Sequence, residues 1–566
     1  MKQKNIEAIY PLSPQQQGML FAAQIATPHS GLFIEQEVHP LQGPLNLRAF
    51  TQAWQSILQR HSILRTIFIW KNQDSPVQVV LENVELPIEQ KDLRAFTATD
   101  QENRLEEFLD EDRRRGLDLS KPPLMRVTLL QLADHKYKFV WTFHHILMDG
   151  WCRPVIFKEL ASFYKAHWQG VEAQMERSRP YGEYVSWLKQ QDLSKAESFW
   201  RNQFQNLTLP TPLGREIELN GSPLPEAGFG YEQVSVRAPI VDALQSRLRQ
   251  HRLTFNTVVQ GTWAILLSQY SEREHVVFGT TVSGRPPALE GVETMIGLFI
   301  NTLPFSVSVP AETSLWDWLE EIQARYVELR HYEHCSTGQI HQWSGLPGAR
   351  PLYESLLVLE NYPTLTRQDH DSNGNSRGDS SRFIGAQTTF PLTLLVAAAS
   401  EIMVLAVHDR QRVDAGSTTR ILRHFTRLVE AIATDSVDNV ASLRRLVPAN
   451  ELPRVAGKSR LGLAPQAATY VAPTTPTEET VTRIAREVLG MERIGIADSF
   501  LSLGGHSLLV TQFVSRLRNA FQIELPLQVL FDSISLKELA LVIEAIIMRE
   551  IAALTDEEAQ RMLDAQ

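Results

Sequence analysis

Phe143-His144-His145-Ile146-Leu147-Met148-Asp149-Gly150-Trp151 is the stretch that decides how this chain is read. Bulky β-formers lead into it: Tyr137, Phe139, Val140, Trp141 and Phe143. They predict a strand that carries two adjacent histidines to its end and turns at Asp149-Gly150. Adjacent strand residues point to opposite faces, so one imidazole can face a cavity while the other faces the core. A neutral imidazole is well suited to proton transfer near pH 7. Two structural histidines at a strand end fit the local pattern as well. The Asp and Gly that follow favour function without settling it.

Outward from this stretch, the chain alternates helices with antiparallel strands. Ser13-Pro14 is a helix start, with Ser13 as N-cap and Pro14 in the first turn. Residues 47–60 form an amphipathic helix with Phe50, Trp54, Ile57 and Leu58 on one face. Strands are predicted at 65–70 and 77–84, and a charged helix at 98–115. Residues 124–130 and 137–143 read as a hairpin, and 155–168 as the helix after the histidines. The pattern implies an α/β sandwich. A second segment begins near Tyr181 and repeats the strand-and-helix texture, which suits two similar lobes facing each other. Within it, Asp, Ser, Asn and Gly crowd residues 367–381, a surface loop.

Near Val447 the texture changes. Residues 448–477 carry Pro, Ala, Gly and Thr with little periodicity and read as a linker. Helices at 478–490, 507–521 and 535–549 then make a small all-α bundle. The expected divisions are 1–180 and 181–450 for the two lobes, 451–474 for the linker, 475–550 for the bundle and 551–566 for a polar tail.

Bulk properties narrow the choice further. A chain of 566 residues suggests about two to four domains. Its 43% hydrophobic and 21% charged content is that of a globular protein. A formal net charge of −10 argues against nucleic acid as the main partner. The only cysteines, Cys152 and Cys335, make neither a disulfide framework nor a metal-ligand spacing, so no metal is expected. Cys152 is expected to be a small buried packing residue rather than a nucleophile. With no apolar signal core near the N-terminus and no long apolar run, a soluble, cytoplasmic protein without a membrane partner is expected.

Asp498-Ser499-Phe500-Leu501-Ser502-Leu503-Gly504-Gly505-His506-Ser507-Leu508 resembles the signature of peptidyl carrier proteins from nonribosomal peptide synthetases. The resemblance implies that Ser507 carries a covalent 4′-phosphopantetheine arm, attached by a phosphopantetheinyl transferase. The residues suit that role: two glycines allow close approach, and Ser507 opens a helix whose N-terminus favours a phosphodiester.

The front of the chain, about residues 5–450, resembles the condensation domain of the same synthetases. His144-His145-…-Asp149-Gly150 matches that family's HHxxxDG motif. Ser13 to Met19, Arg60 to Phe68, Tyr181 to Trp187 and Ile296 to Thr302 match its other stretches in order. The implied fold is two chloramphenicol-acetyltransferase-like α/β lobes in a V, with a tunnel between them and carriers docking at either end. The implied reaction is amide formation. A donor acyl or peptidyl thioester on an upstream carrier passes to the amine of an aminoacyl thioester on Ser507.

The resemblance makes His145 the catalytic imidazole, acting either as a base on the amine or as an electrostatic stabiliser. It makes His144 structural and Asp149 a buried ion-pair member, with Arg65 and Arg285 as candidate partners. Gly150 is expected to give the tight turn. Asn301 anchors either the crossover or its own strand end, and Trp151 is expected in the core. Heterocyclising domains are excluded, since they carry DxxxxD in place of HHxxxDG. Epimerisation domains normally follow their carrier, whereas here the carrier follows. The residues after the motif, and Leu356 to Pro363, look most like the subtype joining two L-residues. No adenylation segment lies between the lobes and the bundle, so either the arm is loaded by an adenylation domain in trans or the chain is an excised or engineered didomain. The rival readings are a free-standing type of acyltransferase using a soluble amine or alcohol, and a non-catalytic scaffold that recruits a carrier, against which the intact His145 and Asp149 argue.

Overall fold

The computed structural model describes residues 5–552 except 27–29, 71–74, 206–209, 214, 218–227, 347–350, 361–381, 385–387, 389, 399, 449–450, 452–453, 457–469, 492, 501–502, 504–506, 527–528 and 531–534. The expected surface loop at 367–381, most of the expected linker, Gly504, Gly505 and the tail from 553 onward lie outside the described residues.

The histidine strand is Lys136–His144, and it forms the expected antiparallel hairpin with Met125–Ala133. On its other side lies Ile34–Gln42, also antiparallel, with Ile34 opposite His144 and Glu35 opposite Phe143. Ile88–Asp92 and Arg382–Ile384 complete a five-stranded sheet at its two edges. Alternation along the histidine strand divides its side chains between two cores. Val140 packs with Leu105, Phe108 and Leu109 of the helix Ala98–Arg115. Phe139, Trp141 and Phe143 join the larger core formed with the helices Leu47–Arg60 and Cys152–Gln169. The Trp141 and Trp54 rings sit 5.3 Å apart and are fully buried. Burial of one such side chain contributes about 3 kcal/mol. The C-terminal end of Leu47–Arg60 is also pinned to the middle of Cys152–Gln169, where Glu159 pairs with Arg60 at 3.1 Å and with His61 at 2.6 Å.

The second sheet has six strands in the order Asn301–Ser308, His275–Val282, Ser355–Glu360, Leu392–Ala398, Ile402–Asp409 and Phe229–Val236. Helix Phe255–Ser271 is apolar almost all round and is buried under it, with Ala415–Ala433 alongside. A third core unites Val481, Ile484, Phe500, Phe513, Leu517, Leu539 and Ile543 from the helices Pro476–Leu489, Ser507–Phe521 and Leu536–Ala552 and the loop between the first two. Phe21 and Ile25, from the first helix Pro14–Ile25, pack against this bundle.

Between two neighbouring strands of the second sheet, the chain leaves that sheet altogether. Leu289, Val292, Met295, Ile296, Leu298 and Phe299 are buried in the first core, beside Tyr181, Tyr184 and Val185. Tyr181 donates its hydroxyl to the Leu298 carbonyl at 2.5 Å. Gly284 begins this excursion with φ of 60°, and a Cβ there would lie 1.7 Å from the Phe299 carbonyl oxygen.

Among the strands that the sequence reading does not anticipate are Ile6–Pro11, Ile34–Gln42 and Ile88–Asp92. In Ile34–Gln42 the apolar alternation is broken by Glu35-Gln36-Glu37, yet all three are buried. Gln36 donates to the Leu109 carbonyl and to Asp112, and Glu37 pairs with Arg153, partners distant in sequence that a local pattern does not reveal.

Gly284→Ala is expected to destabilise the protein by about 3 kcal/mol, because it meets backbone as well as an unfavourable φ. Gly170 has φ of 68° and nothing near its would-be Cβ, so Gly170→Ala should cost only about 1 kcal/mol. Urea melts of the two variants check the difference.

Candidate active site

The two histidines meet different surroundings, as the strand geometry requires. His144 is the last strand residue and is buried beside Phe33. Its Nδ1 accepts the Ile146 backbone N–H at 3.1 Å, so the neutral ring carries its hydrogen on Nε2. Burial, with His145 adjacent, pushes its pKa down to about 3. It is held neutral and takes a structural position.

His145 is the first residue beyond the strand. Its backbone N–H donates to the Phe33 carbonyl at 2.8 Å, and its ring Nδ1 lies 2.8 Å from the Met148 carbonyl oxygen. A carbonyl only accepts, so Nδ1 carries the hydrogen and Nε2 of the neutral ring keeps its lone pair. The ring is about one-eighth exposed, and the Glu35 carboxylate is 3.5 Å from Nδ1. The loop is held from the other side by Gln16, whose amide donates to the Ile146 carbonyl at 3.3 Å and to Gln78 at 3.3 Å. Gln16 is itself fixed by a capping box with Ser13, as the Ser13-Pro14 helix start foreshadows.

Asp149 is buried. Its Oδ2 accepts the backbone N–H groups of Phe299 at 2.9 Å and Ile300 at 3.2 Å. Its Oδ1 accepts from Trp151 N–H at 3.1 Å and from Arg285 at 3.3 Å. Arg285 continues to the carbonyls of Val292 and Met295 and stacks over Phe299 at 4.1 Å. Of the two candidate partners, Arg285 is therefore the one used. Arg65 is not: it pairs with Glu7 at 2.7 Å and donates to the carbonyls of Leu58 and Gln59. The strand that follows Arg65 belongs to a separate three-stranded sheet, so its guanidinium serves that sheet's edge.

Gly150 sits half-buried in the turn, and its carbonyl accepts the Arg153 N–H. Cys152 is fully buried between Asp149, Arg285 and the Gly297 backbone. Burial and the Asp149 charge push its thiol up to about 12, which removes it as a nucleophile. Trp151 departs from expectation. It is 37% exposed, because it caps the helix Cys152–Gln169 and turns away from the core. Asn301 donates to the carbonyls of Glu333 and Cys335 at 2.9 and 2.6 Å, which anchors its own strand end. Glu35 is the residue at this corner that the sequence reading misses. The signal was a carboxylate in a buried strand, legible only once Ile34–Gln42 is known to lie beside the histidines.

Ser507 opens the fifteen-residue helix Ser507–Phe521, but its side chain lies outside the described residues. The backbone suits a phosphodiester-linked arm, since a helix N-terminus presents free N–H groups and the positive end of the dipole. Among the described residues there is no group of three or more metal-ligating side chains, and no helix is long and apolar enough to cross a membrane.

Comparison with known proteins fits this geometry. Residues 6–451 match the condensation domain model, and residues 479–543 match the phosphopantetheine attachment site. The chain belongs to the condensation domain family, the amide-forming acyltransferases of nonribosomal peptide synthesis, and continues into a phosphopantetheine carrier domain. Linear gramicidin synthase subunits D and B of Brevibacillus parabrevis are each 39% identical to it, over 78% and 77% of this chain. Bacitracin synthase 3 of Bacillus licheniformis is 31% identical over 80% of it. The chain spans only 9%, 8% and 7% of these relatives. Among solved structures, the starter condensation domain of rhizomide synthetase matches with a TM-score of 0.64 and 17% identity, over 77% of this chain and 97% of that one. A holo four-domain nonribosomal peptide synthetase bound to AMP and glycine matches with a TM-score of 0.63 and 15% identity, over 87% of this chain and 37% of that one. At such identity these structures establish the fold, the chloramphenicol-acetyltransferase-like α/β architecture expected from the sequence.

The His144 environment makes a pH prediction. Its folded value lies below the 6.5 of the free ring, so its contribution is intact above that pH and is lost as pH falls toward 3. His144→Asn keeps an acceptor for Ile146 N–H without a titrating ring. Between pH 7 and pH 5 the wild type should lose about 2 kcal/mol more stability than this variant in urea melts.

Proposed function

We propose that this chain joins a donor acyl or peptidyl thioester, brought by an upstream carrier, to the amine of an aminoacyl thioester held on Ser507. The observation that carries this reading is the His145 ring, tied at Nδ1 to the Met148 carbonyl with its Nε2 lone pair available. As the amine attacks the donor carbonyl, a C–N bond forms and the C–S bond breaks. The amine proton passes to His145 Nε2, which then returns it to the departing thiolate and is left neutral again. Asp149 and Arg285 hold the loop that presents the ring, Gly150 gives the turn, and His144 stays neutral behind it. The arm on Ser507, when bound, supplies the tethered thioester that brings the acceptor in. The bundle that bears it packs against Phe21 and Ile25 of the first helix, which keeps this carrier beside the lobe.

The partners implied are a phosphopantetheinyl transferase, an upstream donor carrier and an adenylation domain acting in trans, all meeting this chain in the cytoplasm. The residues after the motif favour an L-configured donor. No described contact around His145 bears on configuration, so the assay carries both epimers.

His145→Ala should lower transfer at least about 100-fold while leaving loading of the arm intact, and full transfer by that variant would contradict the role given to His145. Ser507→Ala should abolish the phosphopantetheine mass gain in intact-protein mass spectrometry. Efficient acylation of free amines or alcohols without any loaded carrier would favour the soluble-acceptor reading instead.

A further inference from the structure

We infer that Glu35 is a positioning residue for His145, placing a carboxylate at the Nδ1 edge of the ring so that the ring takes a proton at Nε2. The inference rests on the reading of His145 as the base for the acceptor amine. It distinguishes proton transfer from mere placement of that amine.

The placement follows from strand register. Glu35 lies opposite Phe143 on Ile34–Gln42, and the residue before that strand, Phe33, fixes the His145 backbone. The Glu35 carboxylate comes within 3.5 Å of Nδ1, and both side chains are largely buried. At that distance it is an electrostatic neighbour rather than the hydrogen-bond partner, a place the Met148 carbonyl fills at 2.8 Å. The ring thus has a fixed acceptor for its Nδ1 hydrogen and a negative charge beside it. Both favour the imidazolium that forms when Nε2 takes a proton.

Glu37, on the same face two residues on, shows a different use of the same side chain. It pairs with Arg153 at 2.5 Å and His39 at 2.8 Å, a structural cluster under the helix Cys152–Gln169. The other charged or titratable groups at this corner are Arg113 of the helix Ala98–Arg115, His144, and the Asp149–Arg285 pair. A buried carboxylate is costly where packing alone is needed. Here its charge acts on the Arg113 guanidinium and also stands beside the ring that must become a cation.

The test uses the full chain with its arm loaded and a loaded donor carrier, in single-turnover peptide transfer from about pH 6 to 9. Glu35→Gln removes the charge and keeps the shape. Its plateau rate should fall roughly tenfold. Its acid limb should move to lower pH, because the protonated ring loses a nearby negative charge. Glu35→Asp keeps the charge at greater distance and should fall between the two, which also covers the case of a poorly folding Gln variant. A wild-type rate and profile for both variants would overturn the inference. So would a fall in rate with the acid limb unmoved, which is what a packing role predicts. His145→Ala is run alongside: full transfer by it removes the parent reading, whereas its failure beside a silent Glu35→Gln removes only this one.

Discussion

The architecture of the site depends on one buried carboxylate. Asp149 lies in the turn after the two histidines. It accepts two backbone N–H groups and a guanidinium from residues about one hundred and forty positions later. Those residues belong to the segment that leaves the second sheet, crosses into the first core and returns at Asn301. A charge in such a place is tolerated only when it is fully partnered. The same contact that satisfies Asp149 therefore fixes the crossing segment and, through the turn, the position of His145.

Around this anchor, adjacent residues of one type serve separate ends. His144 ends the strand and His145 is the first residue beyond it, and that step exchanges full burial for a partly exposed ring. One ring is driven neutral by burial and accepts a backbone hydrogen bond. The other donates to a backbone carbonyl and keeps an acceptor nitrogen. The same division recurs two strand positions apart in Glu35 and Glu37, one beside the imidazole and one in an ion-pair cluster. On the proposed reading, chemistry and scaffold are interleaved on neighbouring strands rather than assigned to separate regions.

Much of this was legible in the sequence. The histidine hairpin, the capped first helix, the amphipathic face of Leu47–Arg60 and the helical bundle all follow from periodicity and capping residues. The pairing of Asp149 with a distant arginine was expected, but its identity was not fixed. Arg65 and Arg285 look alike along the chain, and only the crossing segment brings one of them to the carboxylate. Ile34–Gln42 was missed because its buried residues include charged ones, and Glu35 was missed with it. Trp151 is expected in the core, whereas its position at a helix end turns it outward. In each case the information lay in contacts between residues far apart in sequence.

The clasp between Asp149 and Arg285 is most directly tested by a double-mutant cycle in urea, with Asp149→Asn, Arg285→Met and the double variant. Each single change leaves a buried charge without its counter-charge. The account predicts that the double variant is more stable than the sum of the single losses allows, with a coupling of about 2 kcal/mol. Additive losses, within about 0.5 kcal/mol, would contradict it.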